Sequence, residues 1–381
     1  MNRQNEYLNE AQIKKLQSIF IDWYQKNRRN LPWRQTQDPY FIWISEIMLQ
    51  QTRVDTVIDY FYRFTAKYPT IASLAQSDEQ ELLKVWEGLG YYSRARNLKK
   101  AAQQVMTEFD GVFPTDMAAI GSLKGIGPYT AGAIASIAFQ KAEPAIDGNA
   151  MRVVSRLYGI DADIAKPASR KIFDQVLRQL IPLSAPGDFN QALMDLGSGI
   201  CTPKNPDCES CPLKNFCFAY QTGQQEKYPV KTKAAKPKDV YYFATAITNA
   251  NGEYLLTQRA DEGLLAKMWT FPLIEVSRES FEFAQKNFGK QADVLDLFSV
   301  AEDVPLPELL SKDVVWQKRY LGEIKHIFSH LKWHVLLFYG VKQADFLLPS
   351  KSQFVAMKEF DHYVFPKPQQ KLVELLEKSK Q

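Results

Sequence analysis

Every cysteine of this 381-residue chain lies in one 17-residue stretch, Cys201-x6-Cys208-x2-Cys211-x5-Cys217. Disulfide frameworks belong to small secreted chains, and this one is long enough to bury ordinary cores, so four crowded thiols point to a metal centre. Zinc favours paired C-x2-C hooks, of which only Cys208 and Cys211 form one. A 4Fe–4S cluster accepts four thiolates at short, irregular spacings. Spacing alone admits either metal.

The length implies two domains, or three. The composition, 45% hydrophobic and 24% charged, is that of a soluble globular protein. The polar start, Met1–Glu6, has no apolar core of a secretory signal. The longest apolar runs, 131–139 and 335–339, are too short to span a bilayer, and a cytoplasmic protein without a membrane partner is expected. A net charge of +4 neither demands nor excludes nucleic acid. Through the first ~220 residues apolar side chains recur at helical spacing, as in Trp43, Ile44, Ile47 and Met48. Residues 223–239 carry Lys227, Lys231, Lys233, Lys236 and Lys238 between prolines, which marks a basic, semi-extended linker. Strand patterns follow: Tyr241–Thr248, a turn at Asn249–Gly252, Glu253–Arg259, and later Lys332–Val341. The expected architecture is a multi-domain chain. An all-α domain over 1–222 holds the cysteine segment, a linker occupies 223–239, an α+β domain 240–368 and a polar helical tail 369–381.

In Leu123–Ala133, Gly125 and Gly127 form a tight hairpin that opens a helix. Glycine permits positive φ and close backbone approach, so hairpin N–H groups can face a phosphate at a helix N-terminus; an ordinary capped turn is the plainer alternative. The run resembles the helix–hairpin–helix of DNA glycosylases. With Asp147 some twenty residues beyond it and the cysteine spacing, the chain resembles the endonuclease III superfamily. Within that superfamily it is similar to the adenine DNA glycosylase (MutY) family through Leu31–Arg34, Trp43–Thr52, Gly88–Arg94 and Phe328–Leu331. The resemblance implies one 4Fe–4S cluster on Cys201, Cys208, Cys211 and Cys217. It also implies a helix–hairpin–helix glycosylase domain of two helical subdomains with the active site between them, and a Nudix-like second domain.

Cleaving an N-glycosidic bond needs an improved leaving group and a stabilised oxocarbenium ion, which two carboxyl groups can supply. Glu46 sits among Trp43, Ile44, Ile47, Met48 and Leu49, where burial would raise its pKa. Asp147, before Gly148, also reads as a helix cap, and cap and catalyst are compatible. The resemblance makes Glu46 the acid that protonates adenine N7 and later helps activate water. It makes Asp147 the group facing the sugar, hydrogen-bonded by Asn149 and Tyr129. Superfamily members with lyase activity carry a Schiff-base lysine where this chain has Tyr129; a phenol forms no imine, so a monofunctional enzyme is expected.

A stacked base must be extruded before this chemistry. Gly88–Tyr92 offers an aromatic wedge between glycines. By resemblance Gln51, Thr52, Leu89 and Tyr91 surround the partner base, Arg34 and Trp33 line the adenine pocket, and Phe328, Ser329 and His330 sense 8-oxoguanine. His326, His330 and His334 share a four-residue spacing, but the strand pattern around them argues against a metal site. Trp269–Pro272 leads into no cluster of acidic residues such as divalent-metal phosphoryl chemistry requires. Gln191 stands where some relatives would carry an acid, and Lys204, between the first two cysteines, presents a cation to phosphate. The expected partner is duplex DNA with A:8-oxoguanine or A:G mispairs, bound by a monomer in the nucleoid. The alternatives are a pyrimidine-lesion glycosylase with lyase activity, a non-catalytic iron–sulfur protein that binds lesion DNA, and a nucleotide pyrophosphohydrolase.

Overall fold

The computed structural model describes residues 8–233, 235–289, 313–317 and 319–379. By contact the chain forms two compact units: residues up to 78 together with 93–233, and residues 79–92 together with those beyond 233. The helices of the N-terminal part run α1 Glu10–Asn27, α2 Pro39–Leu49, α3 Val54–Lys67, α4 Ile71–Ala75, α5 Glu79–Val85 and α6 Ser93–Glu108. They continue as α7 Met117–Ser122, α8 Pro128–Phe139, α9 Gly148–Tyr158, α10 Arg170–Leu180, α11 Pro186–Gly199 and α12 Phe218–Gln221. All but α5 belong to the first unit.

Two helical layers build that unit. The apolar faces of α1, α9, α10 and α11 close one core around Phe20, Tyr24, Val154, Phe173 and Phe189, against which Cys201, Cys211 and Cys217 also pack. In the other layer α2 packs on α3 and α8. Helix α2 is apolar on every side and buries Tyr40 and all of residues 42–48, so it is a core helix rather than an amphipathic surface one. Its start is defined by Pro39 in the first turn and by Asp38, whose side chain accepts the Tyr40 N–H at 2.8 Å.

The expected hairpin lies between α7 and α8. Leu123 and Ile126 are buried beneath it, and Gly125 takes φ +81°, with Asn97 so close that a Cβ would fall 2.7 Å from that side chain. Only glycine meets both demands.

The second unit is a mixed sheet. Its strands are β1 Lys238–Thr248, β2 Tyr254–Gln258, β3 Trp269–Thr270, β4 Leu273–Val276, β5 Val314–Trp316, β6 Gly322–Ile327, β7 Leu331–Lys342 and β8 Ser352–Val355. Strands β1 and β7 pair in parallel from Lys238↔Leu331 to Thr248↔Val341; the other pairings are antiparallel. One face, with Ala244, Ala246, Trp333, Val335 and Leu337, lies under α14 (Lys367–Ser379); the other, with Phe243, Leu336 and Phe338, lies under α13 (Arg278–Asn287). Cover on both faces is why β7 reads as a nearly continuous apolar run.

The polar tail expected from residue 369 on is helical, as its sequence suggested, but it packs into the second unit instead of trailing from it. Residues 369–379 form the body of α14 and bury Leu372 and Leu376 at 1% exposure each. The polar composition belongs to the face turned to solvent. Among the described residues no helix is long and apolar enough to cross a membrane.

Candidate active site

Glu46 is the one carboxylic acid in α2 and is 4% exposed. Burial pushes its pKa up to about 7; the hydrogen bond from Tyr129 pulls the other way, Asp147 adds to the rise and Arg34 opposes it. The Tyr129 phenol donates to Glu46 Oε2 at 2.8 Å and lies 3.8 Å from Met194 Sδ. This corrects the expectation that Tyr129 supports Asp147. Tyr129 stands in the first turn of α8, and the packing of α8 along α2 brings the phenol to Glu46. Burial, followed by the nearby carboxylates, raises the phenol pKa well above its ordinary value, so it stays a donor.

Asp147 caps α9 and faces the same cavity. Its Oδ1 accepts the Ala150 N–H at 2.7 Å, and its Oδ2 accepts from Asn149 Nδ2 at 2.9 Å. Burial raises its pKa, while the Ala150 and Asn149 bonds and the Arg152 charge oppose the rise. Two carboxyl groups therefore share a site in unlike settings. Burial raises both, Glu46 to about 7, but only Asp147 has backbone and amide donors that oppose the rise.

The cavity between them is about 210 Å³ and is lined also by Trp33, Arg34, Thr52, Asn149, Gln191 and Met194. It is smaller than the roughly 300–1,000 Å³ of pockets for drug-sized ligands, a scale suited to one flat heterocycle. Arg34 is fixed by a two-point pairing with Asp195, Nη1 to Oδ2 at 2.7 Å and Nη2 to Oδ1 at 3.0 Å, and Arg29 Nη2 reaches Oδ1 at 2.6 Å. Burial alone would raise the Asp195 pKa, but Arg34 and then Arg29 bring it below the usual carboxylate value.

Sequence reasoning passed over Arg29, Met194 and Asp195. Asp195 does leave a trace, as a lone acid in the apolar run Ala192–Leu196. Arg152 and Arg156, a turn apart on the inward face of α9, leave a similar one. Arg152 donates to Asn149 Oδ1 (2.9 Å), Gly197 O (2.7 Å) and Cys201 O (2.8 Å). Arg156, 2% exposed, donates to Thr202 O at 2.7 Å and to Cys201 Sγ at 3.3 Å.

Other expected residues lie outside the cavity. Gln51 is exposed, with φ +60°, in the turn after α2. Gly125 and Gly127 form the exposed hairpin, and Gly127 starts α8 without a side-chain cap, leaving first-turn N–H groups to an outside acceptor. Leu89 and Tyr91 belong to the second unit; Leu89 is 6% exposed and Tyr91 48%. Also in that unit, Phe328, Ser329 and His330 join β6 to β7. The Phe328 N–H closes the turn on Leu331 O at 2.7 Å, Ser329 and His330 are exposed, and their side chains stand 3.3 Å apart. The three histidines do not converge: His326 packs on Phe328, whereas His334 Nε2 pairs with Asp239 at 2.7 Å.

All four cysteines are free thiols and line one small cavity together with Arg156. Among the described residues no three potential ligands already stand at metal-binding geometry. The donor set nonetheless fits an iron–sulfur cluster: four soft thiols turned to common space, with a buried guanidinium to offset their charge.

Comparison with known proteins agrees with both halves of this architecture. Residues 44–179 match the HhH-GPD superfamily of base excision DNA repair proteins, 201–217 the iron–sulfur binding domain of endonuclease III, and 243–375 the NUDIX domain. The chain is 34% identical over 370 residues to an adenine DNA glycosylase of Arabidopsis thaliana, covering 86% of this chain and 57% of that one. It thus spans little more than half the plant relative's length. It is 34% identical to the mouse adenine DNA glycosylase, covering 84% of this chain and 70% of that one. It is 37% identical to that of Buchnera aphidicola from Schizaphis graminum, covering 71% and 78%. A solved thermostable thymine-DNA glycosylase superposes with a TM-score of 0.51 at 31% identity, covering 55% of this chain and 97% of that one.

Proposed function

The chain belongs to the adenine DNA glycosylase family, and we propose that it excises adenine mispaired with 8-oxoguanine or guanine from duplex DNA, without cutting the strand. The observation that carries this reading is Glu46: a buried carboxyl with its pKa near 7, sharing a cavity with Asp147. A flipped adenine enters that cavity. Glu46 gives its proton to N7 as the C1′–N9 bond breaks and its electron pair leaves with the base. The Asp147 carboxylate, fixed by Ala150 N and Asn149, faces the cationic sugar. Water adds at C1′ and returns its proton to Glu46, which leaves adenine, an abasic site and an unchanged enzyme. Tyr129 holds Glu46 in place and offers no amine for a lyase step.

The four cysteines hold one 4Fe–4S cluster as a structural brace for the 201–217 loop, whose Lys204 is exposed. The Phe328–His330 turn reads the oxidised edge of the partner base.

The test uses duplexes with A:8-oxoguanine, A:G and an oxidised pyrimidine, scoring base release apart from strand cleavage. Adenine release followed by cleavage only after alkali is expected. Strand cleavage concurrent with release of an oxidised pyrimidine would replace this reading with a lyase. Replacing Ser329 and His330 by Ala should narrow the preference for A:8-oxoguanine over A:G, and an unchanged ratio removes that turn from recognition.

A further inference from the structure

Helix α2 ends in a turn that should not hold its shape unaided. Gln51 sits exposed at φ +60°, a region that costs a non-glycine residue about 1–2 kcal/mol, between half-buried Gln50 and Thr52. Such strain persists only where the surroundings impose it. Here the imposing group is Arg94, at the end of the Gly88–Arg94 motif and in the first turn of α6. Its Nη1 donates to Ile47 O at 2.8 Å, Met48 O at 3.0 Å and Gln50 O, and its Nη2 lies 3.3 Å from Thr52 Oγ1. The last carbonyls of a helix have no intrahelical partner and carry its negative end, so one buried cation satisfies them geometrically and electrostatically.

The other side of the same stretch is tied to α8 in register. Glu46 takes the Tyr129 phenol, and one turn later Gln50 Nε2 reaches Thr130 Oγ1 at 3.3 Å. Residues 46–52 are therefore clamped between α8 and Arg94, with the proton donor at one end and the strained turn at the other.

We propose that Arg94 is a positioning residue that makes Glu46 and the Gln51–Thr52 turn one rigid body, so that contact at the partner base and alignment of the acid depend on the same guanidinium. The inference rests on the reading of Gln51 and Thr52 as partner-base contacts. A lysine has one nitrogen: it can take the place of Nη1 among the Ile47, Met48 and Gln50 carbonyls but cannot also supply the Nη2 donor to Thr52 Oγ1, so the tie between helix end and turn is lost.

The variant is Arg94→Lys in the full-length, cluster-containing protein, measured beside Gln51→Ala. Arg94→Lys should lower base release at saturating enzyme by about tenfold to a hundredfold, the penalty of an ångström-scale misplacement, with DNA affinity kept within about threefold. It should also narrow the A:8-oxoguanine to A:G rate ratio. A merely structural role would lower the melting temperature and leave that ratio alone. If Gln51→Ala shifts the ratio and Arg94→Lys leaves both rate and ratio unchanged, the inference is overturned. If Gln51→Ala leaves the ratio unchanged, the partner-base reading fails separately, and the rate effect of Arg94→Lys still decides the inference. Amide exchange in the wild-type protein needs no variant: the Thr52 N–H, bonded to Leu49 O at 3.3 Å, should be protected before DNA binds, and its exchange at open-loop rates overturns the proposal.

Discussion

In the proposed reaction Glu46 carries most of the chemistry because the side chains around it exclude water. Its pKa moves from 4.5 to about 7 on folding, so ionisation costs the folded state stability. That cost is absent below about pH 4.5, grows as pH rises, and is complete above pH 7, reaching about 3 kcal/mol at 1.36 kcal/mol per unit. Glu46→Gln removes it. The variant should be inactive, yet more stable than wild type by about 2–3 kcal/mol at pH 8 and nearly equal at pH 4.5 in urea unfolding. Equal gains at both pH values would mean that burial does not set this group. Tyr129→Phe acts in the opposite direction to the Tyr129 hydrogen bond, which favours ionised Glu46. Without that bond the Glu46 pKa climbs, and the alkaline fall of single-turnover base release should move up by about one pH unit. A downward move would assign the fall to another group. Glu46 was legible in the sequence as the lone acid in an apolar run. Its partner was not, since the Tyr129 bond spans 83 positions and depends on how α8 lies along α2.

At the scale of elements, α9 concentrates the tasks. Its cap is Asp147, its first turn supplies Asn149, and the two buried arginines on the same face bond the 201–203 backbone. The fit of α11 against it depends on Gly197, where a Cβ would stand 2.7 Å from Asn149 Cβ. Gly197→Ala should displace Asn149 and loosen the bond that orients Asp147, lowering base release at saturating enzyme by about tenfold or more while DNA binding changes little. A rate within twofold of wild type would show that α9 tolerates the shift. The sequence told little of this. Asp147 stood out beside a glycine, whereas Gly197, in Asp195–Gly199, carries no sign of which helix it approaches. The helix of α14 was legible but its docking was not: Leu372, Val373, Leu375 and Leu376 lie among charges, and only the sheet beneath them and the buried Gln369, which accepts the Phe271 N–H at 2.9 Å, show that it belongs to the core.

For the molecule as a whole, a net charge of +4 gives little general attraction to DNA, so docking must depend on local devices. On the proposed reading three would serve: the glycine hairpin with uncapped α8 behind it, the exposed lysines after the cysteine segment, and the cysteine segment itself. The protein and the cluster share the work of holding that segment. Arg152 takes Cys201 O, and Arg156 takes Thr202 O and Pro203 O, so the end next to α9 is anchored by side chains alone. The stretch from Lys204 to Cys211 has no such bond to α9; its ties are local, Asp207 N–H to Ile200 O at 3.0 Å and Glu209 to Lys214 and Tyr220, so thiolate ligation would be what links Cys208 and Cys211 to the anchored end. Removing iron from protein that stays folded should therefore free the Lys204 side of the loop first. DNA affinity should fall by about tenfold and its salt dependence weaken by roughly one phosphate contact, while base release at saturating enzyme falls less than about threefold. The comparison with Gly197→Ala decides between two roles for the segment. A rate loss on iron removal as large as that of Gly197→Ala would mean that the cluster acts through α9 on Asn149. An affinity loss without it confines the cluster to docking.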